Sequence, residues 1–403
     1  MSAMVTETPE QIKAALASPQ RAWRSLDPRA VAFCKQLSAA LLKSDAARSA
    51  PALMALGFWF RDGGLRNIEP FLQHHRGVRM GRGLALHVTP ANVDTVFMYS
   101  CLISLLMGNI NFVRLSDRLG DEGRLLFDHY VFPMLRRTEF EEIATRLIFF
   151  TCPRNHGILA ELSATCQLRV VWGGDETIRA IRAIALNPRA GEICFADRFS
   201  FSLISAGHVN GLAPTDLERL AAAFLSDVKL FGQQACSSPR VVFWLGDPTQ
   251  VEAAKRRFWH AYEDAAGRAL DFNPAERMAR LVDLSTLAAQ GMVSQVLGRS
   301  QHYPYRGELN QLDQSVRRLH GGRGLILEIT AADIASVAGL IRESDQTLTV
   351  AGIDREALIQ LIEKSPNGGL QRVVEIGHAL DFYPIWDGQN LPELMSRTVS
   401  LLL

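Results

Sequence analysis

The feature that most constrains this chain is a series of short apolar runs, each followed by a segment of helical character. Leu84–Val88 (LALHV), Ile110–Leu115 (INFVRL), residues 146–151 (RLIFFT) and Leu168–Trp172 (LRVVW) are the first four. Helical periodicity fills residues 95–107, 121–137 and 155–165 between them. Strands that alternate with helices predict βαβ units and a parallel, doubly wound sheet. The second half repeats the style. Phe199–Ser205, Val241–Leu245 and residues 324–329, 347–350 and 373–376 read as strands. Residues 215–231, 248–265, 274–289, 331–343 and Arg355–Lys364 read as helices. Residues 8–60 read as helical and 61–80 as an irregular connection. The chain of 403 residues exceeds what one core usually serves, so two α/β domains are expected. One is expected to take residues 1–198 plus about 370–403, the other 199–369.

Composition removes several classes of function. Forty-three basic residues stand against 42 acidic ones, a formal charge of +1, which gives no global basic field for nucleic acid. The longest apolar stretch, 96–107, is too short for a bilayer and reads as a buried helix. The start, MSAMVTETPEQ, lacks the basic-then-apolar pattern of a signal peptide. Six scattered cysteines, with no CxxC pair, read as reduced thiols of a cytoplasmic protein. There is no GxGxxG, no Walker loop, and no HExxH or Cys/His spacing for a metal.

Four segments could carry chemistry. Phe231–Pro239 (FGQQACSSP) holds Cys236 in a small, polar turn between a helix and a strand. Small neighbours leave room at the sulfur, and a thiolate can attack a carbonyl to form a thioester. A buried structural cysteine is the alternative. Thr89-Pro90-Ala91-Asn92 follows the first strand, where an Asn amide could stabilise an oxyanion or simply cap the next helix. Arg114 and Ser116 end the second strand, where a cation and a hydroxyl could meet a ribose or its phosphate. Gly173 and Gly174 form a strand-to-helix junction where backbone can approach a ligand, but Asp175 and Glu176 follow and weaken a phosphate seat. The glycine-rich 321–324 reads as a turn.

In order and spacing, LALHVTPANVDT, LLMGNINFVRLSDR, VVWGGDETIRAIR, ICFADRFSFSLIS, FGQQACSSPRVVF and VVEIGHALDFYPIWDG resemble the fatty acyl-CoA reductase (LuxC-type) family of the aldehyde dehydrogenase superfamily. The resemblance spans residues 80–390. It implies an aldehyde dehydrogenase-like fold, a cofactor domain and a catalytic domain with a cleft between them, and a homo-oligomer. It implies NADPH, with NADH open, as the reductant of an acyl-CoA or acyl-carrier thioester, and an acyl-activating synthetase as a partner. It assigns the nucleophile to Cys236 and the oxyanion hole to Asn92 with the Cys236 backbone N–H. Arg114, Ser116, Gly173, Gly174, Gln346 and Thr347 become cofactor-binding residues.

Three departures qualify it. Where hydrolytic relatives keep a water-activating Glu, this chain reads ICFADR, with Glu192 offset. Missing that base, the acyl group should pass to a thiol better than to water. Asp94 stands where Pro is common, and Arg114 replaces the usual Lys with Asp117 following. Two alternatives remain open at this stage: oxidation of an aldehyde to the acid, and a catalytically silent acyl-binding partner protein.

Overall fold

In the computed structural model, residues 7–17, 21–72, 77–89, 95–116, 119–153, 156–269, 274–297, 305–365 and 369–402 are described. They divide into two compact units, residues 1–197 with 382–403, and 198–381.

The first unit is built on a five-stranded parallel sheet. After β1 (Gly77–Gly81) come β2 (Leu84–Val88), β3 (Ile110–Leu115), β4 (Leu147–Thr151), β5 (Leu168–Trp172) and β6 (Gly191–Phe195). The sheet order is β4-β3-β2-β5-β6. Strand order therefore reverses beside β2: β3 and β4 extend one way, β5 and β6 the other. Crevices at the carboxyl ends of strands form at such reversals. One face packs Leu86, Val88, Phe112, Phe150 and Val171 against Ile158, Leu162, Ile178 and Ile181 of the helices Gly157–Thr165 and Asp175–Arg182. The helix Val96–Leu106 is buried at every position from Phe97 onward, which is why its sequence is apolar all round. Each large side chain so buried contributes about 1.5–3 kcal/mol.

The second unit holds a seven-stranded sheet. Its strands are β7 (Phe199–Ser205), β8 (Val241–Leu245), β9 (Val293–Leu297), β10 (Tyr305–Leu309), β11 (Leu325–Ala331), β12 (Asp345–Ala351) and β13 (Arg372–Glu375). They run in the order β13-β12-β7-β8-β11-β10-β9, parallel except for the edge strand β9. Alternate residues serve opposite faces. Val242 and Trp244 join the helices Pro214–Lys229 and Pro248–Ala269, while Val241 and Phe243 join Leu284 and Leu287 of the helix Pro274–Ala289. Two cores on two faces make the sheet doubly wound, the α/β class that the alternating runs predict. The chain then returns to the first unit with β14 (Ile385–Trp386), β15 (Gln389–Asn390) and β16 (Ser396–Ser400), the last pairing antiparallel with β1.

Several boundaries differ from the sequence reading. β13 pairs with β12, so the segment near residue 370 belongs to the second unit and the return comes at Phe382. β1 lies inside the stretch read as irregular, because GVRMG is short and closed by glycines. β6, β9 and β10 (GEICF, VSQVL, YRGEL) mix polar and apolar residues as edge-side strands can, and so lack the apolar-run signal. The helix expected over 331–343 shortens to Ile334–Ala338, because β11 continues to Ala331 and Asp333 caps the helix through Ser336 N–H.

Candidate active site

The segment around Cys236 starts where the helix Pro214–Lys229 ends. Phe231, Gly232 and Gln233 follow with φ of 56°, 56° and 62°. Left-handed backbone at two non-glycine residues costs about 1 kcal/mol or more each and persists only where the surroundings enforce it. Here the enforcement is visible. The Gln233 amide donates to the carbonyls of Pro239 (2.7 Å) and Leu325 (3.0 Å), and its oxygen accepts from Gly324 N–H (2.6 Å). Gln234 Nε2 donates to Gly321 O at 2.8 Å, and Arg323 N–H donates to Gly232 O at 3.0 Å. Gly322 makes this approach feasible. It has φ 74°, and a Cβ there would lie 2.8 Å from Gln233 O. The 321–324 segment is therefore more than a turn: it clamps the cysteine segment. His320 adds to the clamp. Burial pushes its imidazole down to about 3, so the ring is neutral. Nδ1 accepts from Gly322 N–H (3.2 Å), which leaves Nε2–H to donate to Arg240 O (3.0 Å).

The clamp presents Cys236 on the amino-terminal edge of the sheet. Ser200, at the start of β7, donates its hydroxyl to Cys236 O (2.6 Å) and accepts from Thr347 N–H (3.1 Å) at the start of β12. The neighbouring Gln346 is 2% exposed, and its Nε2 lies 3.4 Å from Cys236 Sγ. Thr347 Oγ1 donates to Gln346 Oε1 at 3.4 Å. The family resemblance made Cys236 the nucleophile and placed Gln346 and Thr347 among the cofactor-binding residues, without bringing them together. Sequence reasoning missed Ser200, Gln233 and the 320–324 segment. The doubled glutamine before the cysteine was the available signal for Gln233.

Among the six thiols, only Cys194 and Cys236 are partly exposed. Burial raises Cys194 to about 11, Cys166 likewise to about 11, and pushes Cys34 and Cys101 well above the ordinary thiol range. Of the two partly exposed thiols, Cys236 alone sits in the clamped segment.

The first unit gathers the other expected residues at carboxyl ends of strands. Thr89 follows β2, and Gly173 and Gly174 follow β5, on either side of the strand-order reversal. Thr89 is 4% exposed, and its hydroxyl has no hydrogen-bond partner among the described residues. Asn92, with Asp94 and Asp117, lies outside the described residues. Arg114 is buried at the end of β3, where Nε and Nη2 both donate to Cys152 O (3.1 and 2.9 Å) and tie the segments after β3 and β4 together. Ser116 is buried beyond the same strand. The two glycines have internal reasons. A Cβ on Gly173 would press on Thr177, and one on Gly174 would lie 2.8 Å from the Asp197 carboxylate. Asp197 accepts from Asp175 N–H at 3.2 Å, so carboxylate already occupies this helix start. Negative charge there suits ribose hydroxyls rather than phosphate.

Glu192 is held in place. Its carboxylate accepts from Arg169 Nε (2.7 Å) and Arg182 Nε (2.8 Å). Burial alone would raise its pKa, but hydrogen bonds from Arg182 and Arg169 outweigh burial and hold it below the usual carboxylate range. Such a group is a poor proton acceptor. Among the described residues, no helix is long and apolar enough to cross a membrane, and no group of three His, Cys, Asp or Glu could hold a metal.

The profile of the acyl-CoA reductase (LuxC) family matches residues 67–397. The chain belongs to this family. Solved structures supply its fold class. A NAD-dependent benzaldehyde dehydrogenase from Corynebacterium glutamicum matches at 14% identity and a TM-score of 0.61, over 96% of this chain and 86% of that one. A NAD-dependent aldehyde dehydrogenase from Sinorhizobium meliloti matches at 12% and 0.62, over 93% and 81%. A bifunctional proline utilization A protein matches at 14% and 0.66 over 99% of this chain, which spans only 43% of that protein. At such identities the likeness establishes the fold: this LuxC-family chain is aldehyde dehydrogenase-like. A search of curated proteins finds no match.

Proposed function

We propose that this chain reduces an acyl thioester, carried on coenzyme A or a carrier protein, to an aldehyde through a covalent thioester on Cys236. The observation that carries the reading is the Cys236 segment: a partly exposed cysteine that follows a strained, multiply clamped backbone, with a buried amide 3.4 Å from its sulfur. Strain maintained by this many hydrogen bonds marks a residue whose position matters. Family membership supplies the substrate class.

In the proposed reaction, Cys236 attacks the thioester carbonyl. The S–C bond forms, the tetrahedral oxyanion collapses, and the first thiolate leaves. Asn92 and the Cys236 backbone N–H serve as oxyanion donors, each worth about 100-fold or more in rate. Ser200 fixes the carbonyl side of Cys236, so that the N–H and the sulfur keep one geometry. A nicotinamide cofactor, NADPH by the family resemblance and NADH as the alternative, supplies two electrons and a proton equivalent when bound. The first unit suits such a dinucleotide. Its sheet has the strand-order reversal, and the buried Thr89 hydroxyl there has no partner among the described residues. Thr89, Arg114, Ser116, Gly173 and Gly174 are its proposed binding residues, with the carboxylates near Gly174 favouring a ribose over a phosphate at that turn. Gln346 and Thr347 belong to the set by resemblance.

Oxidation to a free acid is the competing chemistry. It needs a base to activate water, and Glu192, the one candidate in the sequence, has both carboxylate oxygens engaged by arginines. The test is to supply aldehyde and NAD(P)+ with and without coenzyme A. Strict dependence on coenzyme A, with acyl-CoA as product, is expected. Acid formed at an equal rate without coenzyme A contradicts the reading, and no turnover with either coenzyme A or an acyl-carrier protein as the thiol makes the chain a silent acyl binder. Glu192→Gln should leave the thiol-dependent rate within about twofold, because both carboxylate oxygens are engaged by Arg169 and Arg182 and the group is not used as a base.

A further inference from the structure

We infer that Gln346 is a positioning residue for the Cys236 sulfur, holding it as the anion that attacks and that later departs. The inference rests on the reading of Cys236 as nucleophile and gives a function to a contact between residues 110 positions apart. Gln346 Nε2 lies 3.4 Å from Sγ, within hydrogen-bond reach of a sulfur acceptor. A thiolate has no proton to give, so only the N–H edge of an amide can face it favourably. The other edge is fixed to match. Gln346 Oε1 accepts from the Thr347 hydroxyl, which turns the NH2 group toward the sulfur. Ser200 then locks the two partners together. It hydrogen-bonds the Cys236 carbonyl on one side and the Thr347 N–H on the other, so the amide and the sulfur share one rigid frame. Ser200 and Thr347 are 0% exposed and Gln346 is 2% exposed, so water does not compete at the base of this frame. A neutral amide is a suitable partner here. A lysine would hold the thiolate too tightly to attack, and a carboxylate would repel it.

The same contact serves the end of the reaction. When the thiohemiacetal alkoxide collapses, the C=O bond re-forms and the C–S bond breaks, with its electron pair going to sulfur. The amide N–H stabilises that departing thiolate as it stabilised the attacking one. Between those events the sulfur is a neutral thioester and accepts only weakly, so the contact strengthens when charge is present on sulfur.

The test uses the full chain and needs no acyl substrate. The rate of iodoacetamide alkylation at Cys236 is followed by mass spectrometry of its own peptide from pH 5 to 10. Loss of the amide in Gln346→Ala should move the midpoint up by about one pH unit, a tenfold lower thiolate fraction near neutrality. Gln346→Glu, which keeps the length but replaces N–H donors with a carboxylate, should move it further. Thr347→Val, which only frees the amide to turn, gives a smaller shift in the same direction and covers the case in which the first two fail to fold. Midpoints of the folded variants that coincide with the parent overturn the inference. A shift in a parent chain with no reductase activity keeps this inference and discards the proposed reaction. Reductase activity without a shift does the reverse.

Discussion

The cysteine segment of the second unit and the strand ends of the first unit are held in different ways. Around Cys236, the supporting side chains are engaged inside the protein: the Gln233 amide uses both of its ends, and Ser200 both donates and accepts, while the buried Ser238 hydroxyl is the exception, with no hydrogen-bond partner among the described residues. At the end of β2, the Thr89 hydroxyl and His87 Nδ1 are buried without hydrogen-bond partners among the described residues. The two regions also use opposite edges of their sheets. The cysteine and its supports lie at the amino-terminal ends of β7, β8 and β12, whereas Thr89, Arg114 and Gly173 lie at carboxyl ends. The difference fits two kinds of task. A nucleophile needs its geometry fixed before the substrate arrives. A noncovalent ligand site retains polar groups for the ligand to satisfy, at a cost of about 1–3 kcal/mol for each buried group left unpaired.

Substitutions can break this contrast, the largest expected effect first. Cys236→Ala should lower aldehyde formation by about 10⁴-fold or more with the unfolding midpoint unchanged. Retained turnover would remove the nucleophile from the account. Gln233→Ala should cost about 3 kcal/mol in urea unfolding at constant slope, because three buried backbone groups lose their partner. A loss under about 1 kcal/mol would mean that the clamp is not what holds the strained backbone. Thr89→Val should do the reverse: stability unchanged or higher by about 1 kcal/mol, with cofactor affinity down about tenfold. If that variant is destabilised and binds cofactor normally, the hydroxyl is structural and the two regions are alike.

The smallest effect concerns Asp227, a buried carboxylate that takes N–H bonds from Gly377 and Ala379. Burial pushes it up to about 7, against those two donors. A pKa raised on folding means stability fully present below the ordinary value near 3.8 and lost as pH rises toward 7. Asp227→Asn should flatten that fall in a pH series of unfolding midpoints. A slope unchanged by the substitution would assign it to other groups.

The central strands were legible because parallel strands covered on both faces read as apolar runs, as in VVFWL and INFVRL. Edge-side strands such as VSQVL were not, since exposure lets polar residues in. The role of Cys236 as nucleophile came only from the family resemblance, whereas its partial exposure was legible from its small, polar neighbours. Its supports were not, because Ser200, Gln346 and the 320–324 segment reach it across the sheet rather than along the chain. Periodicity carries no information about such contacts. The Arg114 side chain shows the same limit: its position at the end of β3 follows from the sequence, but its attachment to Cys152 O follows only from the fold. Glu192 is a third case, since neither Arg169 nor Arg182 announces from its sequence position that it takes the carboxylate.

The most direct measurement is intact-protein mass spectrometry after incubation with acyl-CoA thioesters of several chain lengths, without reduced cofactor. One acyl adduct per chain is expected, mapped to Cys236, absent in Cys236→Ala and discharged as aldehyde on adding NADPH or NADH. An adduct on another residue, or aldehyde formation by the Cys236→Ala chain, would contradict the role of Cys236 as nucleophile.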